Sequence, residues 1–117
     1  PDATILLDFM LHRFTDLVDK LIIYADRMLA NLNMTRGVIF SQMVLLKLVD
    51  TGMSRENAYA VVQKNAMKSW LDNVDFKQLL LEDVEVMSYL SAKDINALFK
   101  VENFLRHTDV IFTRVFG

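Results

Sequence analysis

The chain has 117 residues, 53% of them hydrophobic, which is enough for one compact domain with its own core and too few for two full domains. Its 13 Lys and Arg residues nearly balance 15 Asp and Glu residues, so no strong field favours nucleic acid or anionic lipid as a partner. The absence of cysteine excludes disulfides, thiolate metal sites and a nucleophilic thiol, and is compatible with a cytoplasmic protein.

The scarcity of helix breakers predicts an all-α fold, with one long bundle helix followed by a compact multi-helical C-terminal domain. Only 3 Gly and 1 Pro occur, and apolar residues recur at helical spacing nearly everywhere. The first helix carries an apolar stripe whose steps alternate between three and four residues, as in a bundle helix. The stripe consists of Leu7, Met10, Phe14, Leu17 and Leu21. A short second helix is predicted over about 26–34, ended by Arg36 and Gly37.

The middle of the chain predicts two helices joined by a tight turn. Residues 38–49 are apolar on almost every side, which suits a central helix covered by its neighbours and ended by Gly52. Ser54 then caps a helix that continues to about residue 71. We expect that helix to pack through one face, so that Trp70 is largely buried. The face consists of Tyr59, Val62, Ala66 and Trp70.

Three shorter helices are predicted to complete the domain, over about 76–82, 92–99 and 104–116. Ser91 is expected to cap the second of them, with Asp94 at its third position. No apolar run approaches the roughly 18 residues that cross a bilayer, so no membrane contact is expected. The chain begins without Met and without a basic, apolar leader, which predicts a piece of a longer protein.

The sequence offers few candidates for chemistry. Asp8, His12 and Asp16 lie one turn apart on the first helix, a spacing that a metal ion or a tuned imidazole could use. The simpler interpretation is a solvated face, because no further ligand is signalled. His107 has charged neighbours and is expected to cap or pair locally. Without a nucleophile elbow, a zinc pair or a phosphate loop, we expect no catalytic, cofactor-binding or metal residue in this chain.

The stretch "TGMSRENAYAVVQKNAMKSW", residues 51–70, can also be aligned with a helix-turn-helix. A recognition helix exposes basic or amide side chains along its first turns, whereas here Arg55 and Asn57 are followed by "AYAVV". We therefore favour a packed helix joint over a DNA reader. The 7 methionines are interpreted as core filling rather than as a groove for a partner helix.

Four stretches in order give a more specific indication. They are "PDATILLDFMLHRFTDLVDKL", "NMTRGVIFSQMVLLKLVDTGMSRENAYAVVQKNAMKSW", "YLSAKDINALF" and "FLRHTDVIF". Together they resemble the C-terminal end of the adenylosuccinate lyase family, within the aspartase and fumarase superfamily, over essentially the whole chain. The chain departs from the family at Met43 and Ala25, where Arg and Pro are common.

The resemblance implies a cytoplasmic homotetramer of purine biosynthesis that works without metal or organic cofactor. Such an enzyme eliminates fumarate from adenylosuccinate, giving AMP, and from the succinylocarboxamide ribotide. Residues 1–23 would be the last long helix of the central bundle, and 24–117 the small all-helical third domain beside the active-site entrance. The family's catalytic His and Ser and its nucleotide-binding residues lie upstream of Pro1, so the segment alone is expected to be inactive.

Two alternatives stay open at the level of sequence. The first is the C-terminal domain of a carboxymuconate cycloisomerase-like relative, because such lyases share a similar C-terminal domain and the discriminating residues lie upstream. The second is a stand-alone helical interaction or DNA-binding module. A longer reading frame with the superfamily's Ser-rich loop would distinguish the enzyme from the module.

Overall fold

The computed structural model describes residues 1–117 and is all-α, which confirms the predicted fold class. The chain folds as two compact units, Pro1–Ala30 and Asn31–Gly117. The predicted boundary between residues 23 and 24 concerns the domains of a longer protein and stays a prediction. The helices, in chain order, are α1 (Asp2–Asp19), α2 (Ala25–Asn33), a 3-10 turn (Val38–Phe40), α3 (Ser41–Asp50), α4 (Arg55–Asp72), α5 (Phe76–Glu82), α6 (Val84–Tyr89), α7 (Ala92–Leu98), α8 (Glu102–Leu105) and α9 (Thr108–Phe116).

The first unit consists of α1 and the beginning of α2, and α1 has no buried residue. The predicted apolar stripe is present, but α1 ends at Asp19 rather than continuing to Ile23. The β-branched side chains of Ile22 and Ile23 lower the helix propensity there. Both side chains are more than 60% exposed, so no packing offsets that loss.

The second unit has a continuous hydrophobic core. Helix α3 packs against α4, α4 against α5, and α5 against α6 and α7, while α7 also reaches α3. Phe76, Leu80 and Leu48 are fully buried where these helices meet. The other core residues are Val44, Met53, Ala58, Val61, Val62, Val86, Leu90 and Ile95.

The turn after α2 is confirmed and has a steric cause. Arg36 and Gly37 both adopt left-handed backbone, with φ of 49° and 85°. A Cβ atom on Gly37 would lie 2.9 Å from the ring of Phe99, so both the backbone and the space require glycine. The predicted helix over 38–49 begins as a 3-10 turn, and regular α-helix starts only at Ser41.

The joint between α3 and α4 is confirmed in detail. The Met53 N–H donates to the Leu48 carbonyl at 3.1 Å and the Gly52 N–H to the Val49 carbonyl at 3.0 Å, which is the Schellman pattern. Gly52 has the required positive φ of 104°, and Met53 is buried. The Ser54 hydroxyl then accepts from the Asn57 N–H at 3.3 Å and caps α4.

The predicted packing face of α4 was wrong. Trp70 is 67% exposed and Tyr59 57% exposed, although Val62 is buried as expected. The buried residues of α4 are Ala58, Val61, Val62, Asn65 and Ser69. Small side chains on this face let the neighbouring helices approach α4 closely, whereas two large aromatic rings would hold them apart. The sequence prediction followed side-chain size and chose a neighbouring face of the helix.

The later helices differ from the prediction at two places. The 76–82 and 92–99 predictions match α5 and α7. Ser91 caps α7 as expected, and the Asp94 side chain at the third position completes a reciprocal capping box. Helix α6 was missed, and the predicted 104–116 helix is divided into α8 and α9. His107 stands at the N-cap of α9 without a side-chain hydrogen bond to the helix and forms no ion pair, so the prediction that it caps or pairs locally was wrong.

Two truncations test this assignment of the core. Phe76→Ala removes a fully buried ring and should lower the free energy of unfolding by about 3–5 kcal/mol. Trp70→Ala removes a largely exposed ring and should change it by less than about 1 kcal/mol. Urea unfolding followed by circular dichroism measures both variants of the 117-residue chain. Equal losses for the two variants would place Trp70 in the core.

Candidate functional site

The second unit has a polar cleft between α4 and the junction of α5 with α6. Its volume is about 520 Å³. It holds Lys64 and Asp83, two of the three titratable groups whose pKa values are shifted, and groups of this kind in a cleft are candidates for chemistry. The lining residues are Lys64, Asn65, Lys68, Leu79, Glu82, Asp83, Val84 and Glu85.

Asp83 is the centre of the cleft. Its Oδ1 atom accepts from the backbone N–H of Glu85 at 3.0 Å and of Val86 at 3.4 Å, which caps α6. Its Oδ2 atom accepts from Lys64 Nζ and from Asn65 Nδ2, each at 2.9 Å. The carboxylate thus joins α6 to α4 through both of its oxygen atoms.

The two charges of this cluster lie in different surroundings. The Asp83 side chain is only 8% exposed, whereas that of Lys64 is 64% exposed. Burial raises the pKa of Asp83, but the hydrogen bonds from Asn65, Lys64 and the Glu85 backbone outweigh burial and lower the pKa overall. The hydrogen bond to Asp83 raises the pKa of Lys64. Both pKa shifts, the lowered one of Asp83 and the raised one of Lys64, favour the charged forms of the two side chains.

The cluster suits structural support better than catalysis. Asn65 is 3% exposed and its amide also donates to the Val61 carbonyl at 3.0 Å, so both of its N–H bonds are used. A general base needs a free lone pair aimed at a substrate proton, whereas the Asp83 oxygen atoms already accept four hydrogen bonds. What the arrangement can do is fix the position of α6 on α4.

Sequence analysis did not single out Asn65 or Asp83. A signal for Asp83 was present, because Asp is a preferred N-cap residue and the acidic Glu85 follows it where the first turn of a helix would lie. Asn65 gave no such signal. Its importance depends on a partner 18 positions further along the chain.

The structure does not combine the other candidates into a site. Asp8, His12 and Asp16 remain on one flank of α1, where His12 is exposed and Asp16 half-buried, and no ion pair joins them. No group of three or more His, Asp or Glu side chains is placed to hold a metal ion. On α4, Arg55 and Asn57 are exposed.

No single helix of the chain is both long and apolar enough to cross a membrane, although α2 and the stretch Val38–Asp50 pass that test when taken together.

Comparison with known proteins gives a consistent result. The family model described as "Adenylosuccinate lyase C-terminus" matches residues 37–115. The adenylosuccinate lyase of Staphylococcus saprophyticus is 43% identical over 114 residues, covering 97% of this chain and 26% of that relative. The adenylosuccinate lyase of Streptococcus mutans is 43% identical over 115 residues, covering 98% and 27%. The chain thus spans about a quarter of the length of these curated relatives.

The structural role of the Asp83 cluster can be tested by removing the charged group of Asp83 or of Lys64. Asp83→Ala removes the cap of α6 and leaves a buried Asn65 donor without its partner, so we expect a loss of about 1–3 kcal/mol in the free energy of unfolding. Lys64→Met removes a mostly exposed ammonium group and should cost less than about 1 kcal/mol. Urea unfolding at neutral pH compares the variants, and a Lys64→Met loss as large as that of Asp83→Ala would contradict the assignment.

The same cluster predicts a pH dependence. Because folding lowers the pKa of Asp83, the charged form stabilises the fold above the unfolded pKa of about 4. That contribution is lost as the pH falls through the lower folded pKa. Asp83→Asn keeps a capping side chain but cannot ionise, so its stability deficit relative to wild type should shrink between pH 5 and about pH 3. A constant deficit over this range in urea unfolding would be the contrary result.

Proposed function

Because the chain belongs to the adenylosuccinate lyase C-terminus family, we propose that it is the C-terminal part of an adenylosuccinate lyase. The whole enzyme would eliminate fumarate from adenylosuccinate, giving AMP, and from the succinylocarboxamide ribotide of purine biosynthesis. The observation that supports this most directly is 43% identity to two adenylosuccinate lyases over nearly the whole chain. The carboxymuconate cycloisomerase-like alternative and the stand-alone module have no comparable support.

We assign this chain a supporting role within that enzyme. An elimination requires an acid, a base and carboxylate-binding groups held together around the substrate. The cleft at Asp83 offers instead a carboxylate whose oxygen atoms are already engaged in holding α6 to α4. The groups that bind the purine nucleotide and perform catalysis would therefore come from the upstream three quarters of the enzyme. The resemblance to the family implies that this enzyme works without a metal or organic cofactor.

The first helix supports the proposal of a homotetramer built on a helical bundle. Leu7, Met10, Phe14 and Leu17 are 55–62% exposed, and together they form an apolar stripe along α1. Such a stripe is rarely left in water, because exposed apolar surface of this kind drives association. Bundle helices of the same enzyme would cover it. A cytoplasmic location follows from the proposed pathway and agrees with the absence of cysteine.

The proposed activity can be measured on the full-length protein. We expect the purified full-length protein to release fumarate from adenylosuccinate, and the 117-residue chain at equal molar concentration to give no release above the blank. Chromatographic detection of fumarate and AMP follows both products. A full-length protein without turnover would refute the assignment as a lyase. Turnover by the 117-residue chain alone would refute the proposal that the catalytic groups lie upstream of it.

Association through α1 can be tested with a matched pair of substitutions. Leu17→Glu places a charge on the apolar stripe, whereas His12→Glu places the same charge on the polar flank of the same helix. We expect the 117-residue chain to self-associate at micromolar concentration, Leu17→Glu to abolish association, and His12→Glu to leave it unchanged. Sedimentation velocity measures all three proteins. Three monomers with equal helix content would show that the stripe is not an association surface in this chain.

A further inference from the structure

Large apolar side chains lie exposed at the C-terminal end of α4. Met67 is 54% exposed, Trp70 67% and Leu71 70%. Their spacing of three and four residues puts them side by side on the helix surface. These three residues, here called the Trp70 patch, lie on the side of α4 that does not face the core of the second unit.

A hollow of about 470 Å³ adjoins this patch. Trp70 and Asn73 form one wall, and the turn after α2 forms the other, with Met34 66% exposed. No carboxylate lines the hollow, and the Arg36 guanidinium has no ion-pair partner. The full set of lining residues is Asn31, Met34, Thr35, Arg36, Trp70 and Asn73.

Backbone conformation and hydrogen bonds to neighbouring residues fix the walls of the hollow in position. Arg36 and Asn73 are the two non-glycine residues with left-handed backbone, at φ of 49° and 57°. Asn tolerates this conformation at the C-terminus of a helix, whereas for Arg36 it is unfavourable and persists where the surroundings enforce it. The Arg36 carbonyl accepts from the N–H of the fully buried Phe76 at 3.0 Å, and the Ser69 hydroxyl donates to the Val74 carbonyl at 2.6 Å. The hollow is therefore preformed.

These properties are those of a docking surface. The centres of protein interfaces are enriched in Trp, Met and Arg, and a few residues at such a centre, often Trp, Tyr or Arg, contribute most of the binding energy. A preformed surface also loses little conformational entropy when it binds. Three large apolar side chains beside the exposed side chain of Met34 form the kind of surface that is rarely left in water.

We propose that the Trp70 patch and its hollow dock against the upstream part of the same polypeptide. This inference rests on the proposed function, because the relatives named adenylosuccinate lyase are about four times as long as this chain and so supply a covering segment. That segment presents apolar side chains to Trp70 and Met34 and a carboxylate or carbonyl oxygen to Arg36. The surface thereby seats the second unit on the rest of the enzyme.

One substitution in two contexts tests the proposal. Trp70→Glu should leave the melting temperature of the 117-residue chain unchanged, because the ring is exposed there, and should lower that of the full-length protein by several degrees. Met34→Glu, on the opposite wall, should behave in the same way. Gln63→Glu is the control, since Gln63 is exposed on the same helix and lies outside both the patch and the cleft at Asp83, and it should leave both melting temperatures unchanged.

Fluorescence gives a second measurement, because Trp70 is the one tryptophan of the chain. Its emission in the full-length protein is obtained by subtracting the spectrum of the Trp70→Phe variant. We expect that emission to lie at shorter wavelength than in the 117-residue chain. Equal emission together with a silent Trp70→Glu substitution would overturn the proposal.

Two further outcomes separate the possible occupants and functions. If the 117-residue chain itself associates and Trp70→Glu abolishes that association, the patch binds a second copy and the proposal is overturned. If Trp70 is covered in a full-length protein that releases no fumarate, the docking surface stands and the assignment as a lyase fails.

Discussion

Helix α4 is the element on which the packing of the second unit depends, and its buried face consists largely of small and polar side chains. Ala58, Asn65 and Ser69 allow α3 and α5 to lie close to α4, so that Val44, Leu48 and Leu80 can fill the space between them. The two polar residues are satisfied within the fold, since Ser69 donates to the Val74 carbonyl and Asn65 to Asp83. The same face of α4 thus lets its neighbouring helices approach closely and provides hydrogen-bond partners for its buried polar side chains.

The polar chemistry of the second unit serves that packing. Asp83 accepts hydrogen bonds from a backbone cap, an amide and an ammonium group, and each of them fixes α6 relative to α4. A carboxylate used in this way is stabilised in its charged form, which is the reverse of what a general acid at neutral pH requires. The side chains of the cleft therefore hold α6 on α4, and their hydrogen bonds leave the Asp83 carboxylate engaged.

The exposed apolar surfaces of the chain also suit a part of a larger protein. The stripe along α1, the Trp70 patch and the apolar side of α9, with Ile111, Phe112 and Phe116 exposed, all present large side chains to solvent. The core of the second unit is complete without them. A sequence that retains such surfaces beside a finished core is suited to be part of a larger assembly, and relatives about four times as long agree with this interpretation.

The sequence by itself determined the fold class and most helix ends, because these depend on contacts within a few residues. Gly52, Ser54 and the Ser91–Asp94 capping box act through hydrogen bonds to backbone groups at most five positions away, so their residue types identify them directly. The resemblance to a lyase family was also visible in the order of the residues. Only the tertiary structure decided which face of α4 is buried, because the choice between Trp70 and Ser69 depends on how closely other helices approach. It likewise decided the role of Asn65, whose partner Asp83 is brought near by the packing of α5 and α6 and by nothing in the local sequence.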